Sequence, residues 1–428
     1  MKQKLLQILY KILRCFTKIY LWRTKPYVIG VTGSVGKTSC RMIISQVLEQ
    51  IQTEKKIYTS PKNFNSELGL IFSIFMIESY NPSIKNLLKV TYTIFVISLF
   101  GRKKYDVLVA EYGIDSPWDM DFLISVMRPD IGIITKLDYV HSENFPWGVQ
   151  EYWQDKMKLL IASKKKTFFN IEDEFTQNNE DLLENFSYIF SKNHSSRFIQ
   201  DSTEIRQIFE YHKKNISINL IGIENLEYTR LALDIAQEIG IPLQNQEYHL
   251  SFVQQAGRFS LFIKGENIFI DSSYNAGPES MKQVIENTKK IQKELFPQKE
   301  ILYVLWDMRE IGEMKQLAHE WLAHRILESG AIFTVWPLMF QYLIPRLREL
   351  EYAGEIHSSL SAREIWKKLK TFLVKNKLKQ YIVLFKGSQN TIFTEEALSL
   401  QLTPTQRKNL PRQTEDWKKK KKIFFRDL

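Results

Sequence analysis

The stretch YVIGVTGSVGKTSCRMIISQVLEQI, residues 27–51, decides the fold. It opens on a short β-branched run, passes through a glycine-rich turn and continues with Met42, Ile43, Ile44 and Val47 at helical spacing. Strand, loop and helix thus follow in the order that a phosphate-binding loop requires. Gly33 and Gly36 allow backbone torsions that turn N–H groups toward phosphate oxygens. Lys37 supplies a point charge for the β- and γ-phosphates, and the Thr38 hydroxyl is a ligand for Mg²⁺. The spacing departs from the strict GxxxxGK[ST] form, because Val31 takes the first-glycine position and the glycine falls one place earlier, at Gly30.

Outward from this loop, composition narrows the class. The chain has 428 residues, 44% hydrophobic and 25% charged, which excludes a disordered, collagen-like or disulfide-stapled protein. Cys15 and Cys40 form no metal-ligand pattern and point to a reducing compartment, so the expected location is cytoplasmic. The net charge of +11 is concentrated at the ends: residues 1–26 hold seven basic and no acidic side chains, and residues 405–428 hold nine basic and three acidic. The body between them is close to neutral, so no nucleic-acid partner is expected.

In residues 1–26 Leu5, Leu6, Leu9, Ile12, Leu13, Phe16, Ile19 and Tyr20 recur at helical spacing between lysines and arginines. This predicts an amphipathic basic helix, too often charged to span a bilayer. It serves either as a cap on the next domain or as a peripheral membrane contact. Covering the ATP-binding domain is the favoured role. The apolar run Leu87–Phe100 is shorter than the ~20 residues of a spanning helix and reads as buried or interfacial. The tail DWKKKKKIFF reads as solvated, with a membrane or polyanion contact as the other reading.

Further motifs follow in a fixed order. TSPKNFNSELGL carries Pro61, Asn63, Asn65 and Gly69; YDVLVAEYGID ends a buried strand on Glu111; RPDIGIITKLDYVHSENF contains His141; and WQDKMKLL contains Lys156 and Lys158. LIGIENLEYTRLALDIAQEIGIPL contributes Gly222 and Asn225, with Tyr228 where a second Asn stands in the pattern it matches. AGRFSLFIKGENIFIDSSYNAGPESM holds Arg258, Asp271, Tyr274, Asn275, Pro278 and Met281 and predicts a hairpin turning at Gly265 and Glu266. LYVLWDMREIGEMKQLAHE and YIVLFKGSQN close the series with Asp307, His319 and Lys386. Taken together, these segments resemble the Mur ligases, the amide-bond-forming ligases of peptidoglycan precursor synthesis, and most closely their D-alanyl-D-alanine-adding branch. The resemblance covers residues 27–400.

What the resemblance implies is specific. The fold is α/β, with a P-loop doubly wound central domain at 27–244 and a Rossmann-like α/β domain at 245–404, between the basic helix 1–26 and the basic tail 405–428; the alternation of strands and helices points the same way. The activity is ATP-dependent ligation through an acyl phosphate, joining an amino acid or dipeptide to a peptidoglycan-precursor carboxylate. A related ligase acting on a lipid-linked or other peptide acceptor, and a non-catalytic partner protein, are the alternatives. ATP falls to Thr32, Gly33, Ser34, Gly36, Lys37, Thr38, Ser39, Asn225, Arg258 and Asp271. Mg²⁺ falls to Thr38, Glu111, His141 and a carbamylated Lys156, with Lys158 the second candidate for that modification. The substrate falls to Asn63, Asn65, Asn275 and Lys386, and catalysis to Lys37, Lys156 and Arg258. Only 26 residues precede the loop where the family has a domain for the UDP-sugar, so no uridine site is expected in this sequence.

Overall fold

The computed structural model describes residues 2–51, 54–61, 67–77, 84–137, 145–146, 148–170, 174–183, 185–189, 196–200, 204–309, 311–335, 337–359, 361–388 and 394–426. The chain forms two compact units. One comprises Met1–Ser195, Phe209–Ile216 and Glu224–Leu250, the other Ser196–Ile208, Ser217–Ile223 and Ser251–Leu428.

The first unit is built on a parallel sheet of β1 (Tyr27–Thr32), β2 (Ile57–Thr59), β3 (Val107–Glu111), β4 (Ile131–Ile134), β5 (Lys166–Asn170) and β6 (Phe186–Ile189), in the order β2-β3-β1-β4-β5-β6. Its central strands are apolar on both faces and buried on both, as a sheet covered by helices requires. The helices are α1 (Lys2–Thr24), α2 (Lys37–Ile51), α3 (Glu67–Phe75), α4 (Ile84–Phe100), α5 (Asp119–Val126), α6 (Val149–Ala162), α7 (Glu174–Gln177) and α8 (Ile223–Glu238). The chain leaves β1 between β3 and β4, so the loop after β1 opens at the point where strand order reverses, the crevice in which such sheets bind ligands.

The basic helix α1 is a cap. Leu13, Thr17 and Tyr20 are fully buried, Tyr20 packs on Phe75 at 5.1 Å between ring centres, and Arg14 Nη1 donates to the Ser125 hydroxyl at 3.1 Å. Its apolar stripe therefore covers α3, α4 and α5, the favoured one of the two roles open to it. Among the described residues no helix is long and apolar enough to cross a membrane.

The second unit holds a six-stranded sheet of β11 (Ser260–Lys264), β12 (Asn267–Ser272), β13 (Glu300–Trp306), β14 (Ala331–Val335), β15 (Glu355–Ser359) and β16 (Tyr381–Lys386), in the order β11-β12-β16-β13-β14-β15. β11 and β12 form the expected antiparallel hairpin, and the other pairs are parallel. A separate four-stranded sheet, β10-β9-β8-β7, lies within residues 196–250: β7 (Ser196–Gln200), β8 (Ile205–Tyr211), β9 (Lys214–Ile218) and β10 (Glu247–Leu250). The segment 405–428 is not a free solvated tail. Leu410, Arg412 and Lys421 are buried, the last two on Glu395, which is also buried.

Candidate active site

In the first unit the loop after β1 is held in shape from beneath. Ser34 N donates to the Lys136 carbonyl at 2.7 Å, and the Thr135 hydroxyl donates to the Val35 carbonyl at 2.6 Å. The Thr32 hydroxyl is tied to the Tyr112 carbonyl at 2.7 Å. Gly33 and Gly36 have φ of +144° and +87°, a region that favours glycine. Packing excludes a side chain at both: a Cβ would lie 2.1 Å from the Thr135 hydroxyl oxygen at Gly33, and 2.1 Å from the Tyr228 hydroxyl oxygen at Gly36.

The charged groups converge on the same loop. Lys37 Nζ donates to the carbonyls of Gly33 (2.7 Å) and Ser34 (3.1 Å), folded back over the cradle that a phosphate would fill. Register places Glu111, the last residue of β3, beside Val31, and its Oε2 accepts from the Thr38 hydroxyl at 3.0 Å. Both residues assigned to Mg²⁺ from these two segments are therefore in direct contact and buried. Arg41, which the motifs did not single out, completes the cluster: its Nε lies 3.5 Å from Glu111 Oε2, and its Nη1 donates to Thr59 Oγ1 at 2.5 Å and to the Ser60 carbonyl. The available signal was its position four residues after Lys37, on the same side of α2.

Lys156 and Lys158 lie on α6 in opposite circumstances. Lys158 is partly exposed and paired with Asp121 (2.5 Å) and Asp155 (2.6 Å). Lys156 is wholly buried, its Nζ 4.3 Å from the centre of the Tyr152 ring and without a hydrogen-bond partner among the described residues. Burial drives its pKa well below the usual lysine value, and the nearby charge of Lys37 adds to this against Asp115, Asp155 and Glu111. Ser39 and Asn225 are half-buried in the first turns of α2 and α8, and the Ser34 hydroxyl donates to the Tyr152 hydroxyl at 3.4 Å. His141, Asn63 and Asn65 lie outside the described residues; among the described ones no group of three or more His, Cys, Asp or Glu is placed to hold a metal.

The second unit gathers its own set around the ends of β12 and β16. The Arg258 guanidinium lies over the Tyr274 ring at 4.5 Å. Asp271 is fully buried; its Oδ1 accepts from the Ser273 N–H (3.0 Å) and hydroxyl (2.6 Å), while Oδ2 has no hydrogen-bond partner among the described residues. Burial raises this carboxyl to about 6 despite those bonds. Lys386 Nζ donates to the Asn275 carbonyl at 2.7 Å, and burial together with the charge of Arg258 brings it down to about 7. Asn275 Oδ1 accepts from the Ala276 N–H at 2.8 Å and shapes the loop. His319 is a structural pin: its Nδ1 bonds the Lys315 carbonyl (2.6 Å) and its Nε2 accepts from the Met308 N–H (3.2 Å). Arg412, in the segment read as a tail, clamps this loop cluster. It forks onto Glu395 with two 2.8 Å bonds and donates to the Ser273 carbonyl at 2.7 Å.

Comparison with known proteins agrees with this geometry. Residues 31–235 match the family model of the Mur ligase middle domain. The UDP-N-acetylmuramoyl-tripeptide–D-alanyl-D-alanine ligase of Bacillus subtilis (strain 168) is 24% identical over 330 residues, 75% of this chain and 63% of that protein. The chain thus spans less than two thirds of that relative's length. The ligase of the same name from Buchnera aphidicola subsp. Baizongia pistaciae (strain Bp) is 24% identical over 379 residues, 84% of this chain and 75% of that one. Among solved structures, the MurF ligase of Thermotoga maritima in complex with ADP superposes with a TM-score of 0.69 at 20% identity, covering 92% of this chain and 82% of that one. The chain carries a Mur ligase middle domain at residues 31–235 and is built on the Mur ligase fold.

Proposed function

We propose that this chain is an ATP-dependent amide-bond-forming ligase acting on a peptidoglycan-precursor carboxylate, with an amino acid or a D-alanyl-D-alanine-like dipeptide as the amine donor. The carboxylate attacks the γ-phosphorus of ATP, giving an acyl phosphate and ADP; the amine then attacks the acyl carbon, phosphate leaves with the bonding electrons, and the ammonium proton is lost to solvent. Three anionic partners must approach one another, which is what Lys37, and Arg258 from the second unit, make affordable by neutralising phosphate charge. In this reading residues 27–244 and 245–404 divide the work as nucleotide-binding and closing domains.

The observation that carries the proposal is the buried amine of Lys156 within electrostatic range of Lys37 and Glu111. A loop that only holds phosphate has no need of a buried lysine on its flank whose burial favours the neutral amine. A neutral amine in that position adds to CO₂, forming an N–C bond and releasing a proton, and the resulting carbamate is a carboxylate-like ligand. Thr38, Glu111 and this carbamate are oxygen donors suited to Mg²⁺, with His141 as the proposed further ligand. Mg²⁺ there would neutralise charge developing on the phosphate oxygens. The proposed location is cytoplasmic, with a peripheral association with the membrane. Phosphate release from ATP that requires both a carboxylate acceptor and an amine, and that falls in bicarbonate-free buffer, tests the reading. Release independent of acceptor and amine would reduce the protein to a nucleotide hydrolase.

A further inference from the structure

Helix α4 is apolar on two sides, and among the described residues only one of them is covered. Ile94 and Ser98 are buried on the side where α1 packs; Phe16 meets Phe95 edge to face at 5.1 Å, and Arg23 Nη1 donates to the Ser98 carbonyl at 2.7 Å. The side turned away from Ile94 and Ser98 carries Leu88, Tyr92 and Leu99, spaced i, i+4 and i+11 in one stripe along the helix, with Phe95 at its edge toward α1. Leu88 is 64% exposed, Tyr92 68%, and Phe100 at the helix end 76%, values that mark a face turned to solvent and not a loosely packed core.

The two sequence segments that carry and pack beside this stripe are cationic. Residues 84–104 contain five basic and no acidic side chains, and residues 1–26 seven basic and none acidic. Lys89, Arg102, Lys103 and Lys104 are exposed on or just after α4, as are Lys11, Lys18 and the 74% exposed Trp22 on α1. The nearest acid in sequence, Asp106, is paired with Lys103 at 2.9 Å. An apolar stripe rimmed by lysines and arginines, with a tryptophan at its margin, is what a helix lying in the headgroup region of a bilayer presents. A second copy is the poorer occupant, because a two-fold contact through this face would bring the same cations against each other.

We infer that the outer face of α4 and its basic collar are the seat of this protein on an anionic lipid surface. The inference rests on the membrane-peripheral reading above for the nature of the partner, and assigns the contact to α4 instead of to the chain termini.

The test is co-sedimentation of the full chain with phosphatidylcholine vesicles, with and without phosphatidylglycerol, at low and high salt. Binding should require the anionic lipid and be lost as salt rises. Leu88→Gln, Tyr92→Gln and Phe100→Gln together should weaken it at least tenfold with the melting temperature unchanged, since none of the three is buried. Each of Arg102→Gln and Lys104→Gln should weaken it about fivefold. If the triple variant binds as the parent does, while Gln at Lys418, Lys419, Lys420 and Lys422 abolishes binding, the assignment to α4 is wrong and the peripheral reading stands. No vesicle binding by the parent protein overturns both. A dimer in sedimentation velocity that the triple variant dissolves, without vesicle binding, would identify the face as a contact between copies.

Discussion

Replacing Gly36 with alanine should distort the phosphate loop through one identifiable atom. Gly36 has φ of +87°, where an L-residue costs about 1–2 kcal/mol. The added Cβ would sit 2.1 Å from the Tyr228 hydroxyl oxygen, an overlap of the kind that costs about 1–3 kcal/mol when a packed site must shift. The variant should therefore lose roughly 2–5 kcal/mol of local stability. Tyr228→Phe removes the clashing atom and leaves the ring Cζ, which is 3.0 Å from the Cβ position, so the double variant should keep mainly the backbone cost. The double-mutant cycle predicts a coupling of about 1–3 kcal/mol, with Tyr228→Phe relieving the effect of Gly36→Ala. Hydrogen exchange of the α2 amides is the suitable assay, because it reports local opening without requiring both units to unfold in one step. Additivity of the two substitutions within about 0.5 kcal/mol would refute the packing of Tyr228 against the loop.

Lys37→Ala should abolish ATP turnover with an unchanged melting temperature, because the task of the ammonium is to neutralise phosphate charge; retained turnover would remove the loop from the mechanism. Lys156→Met should raise stability at neutral pH by about 1–3 kcal/mol, by removing a buried amine that has no hydrogen-bond partner among the described residues, and abolish activity. Lys156→Ala should regain part of its activity with formate or acetate standing in for the carbamate, whereas rescue of Lys158→Ala instead would move the modification to the exposed lysine. Asp271, raised from 3.8 to about 6, binds its proton more tightly folded than unfolded, so its contribution to stability is complete below pH ~4 and is lost as pH rises through ~6. Urea unfolding of the parent protein between those limits should show a loss of about 3 kcal/mol that Asp271→Asn abolishes. Lys386 titrates near 7 with the opposite sign, above that window.

The loop, Glu111 and the β11–β12 hairpin were legible because each is local: a glycine at a fixed offset, or a carboxylate closing an apolar run. The cap role of α1 was legible for a related reason, since Leu13 and Tyr20 fall on one helical stripe. Arg412 was not. Its partner Glu395 lies 17 residues away, and within a basic segment one arginine that pairs internally looks like its solvated neighbours. The exposed face of α4 was equally hidden, because an apolar run states how much surface could be buried and not which side finds a neighbour. Tyr228 stands where the matched pattern has a second Asn, and only the chain's path shows its hydroxyl against Gly36.

Oxygen transfer from the acceptor tests the central proposal most directly. With an ¹⁸O-labelled precursor carboxylate, ATP and a D-alanyl-D-alanine donor, the acyl-phosphate route delivers a single labelled oxygen from that carboxylate to each phosphate released, in step with amide formation. Phosphate carrying only unlabelled or solvent oxygen, with no amide product, would contradict it.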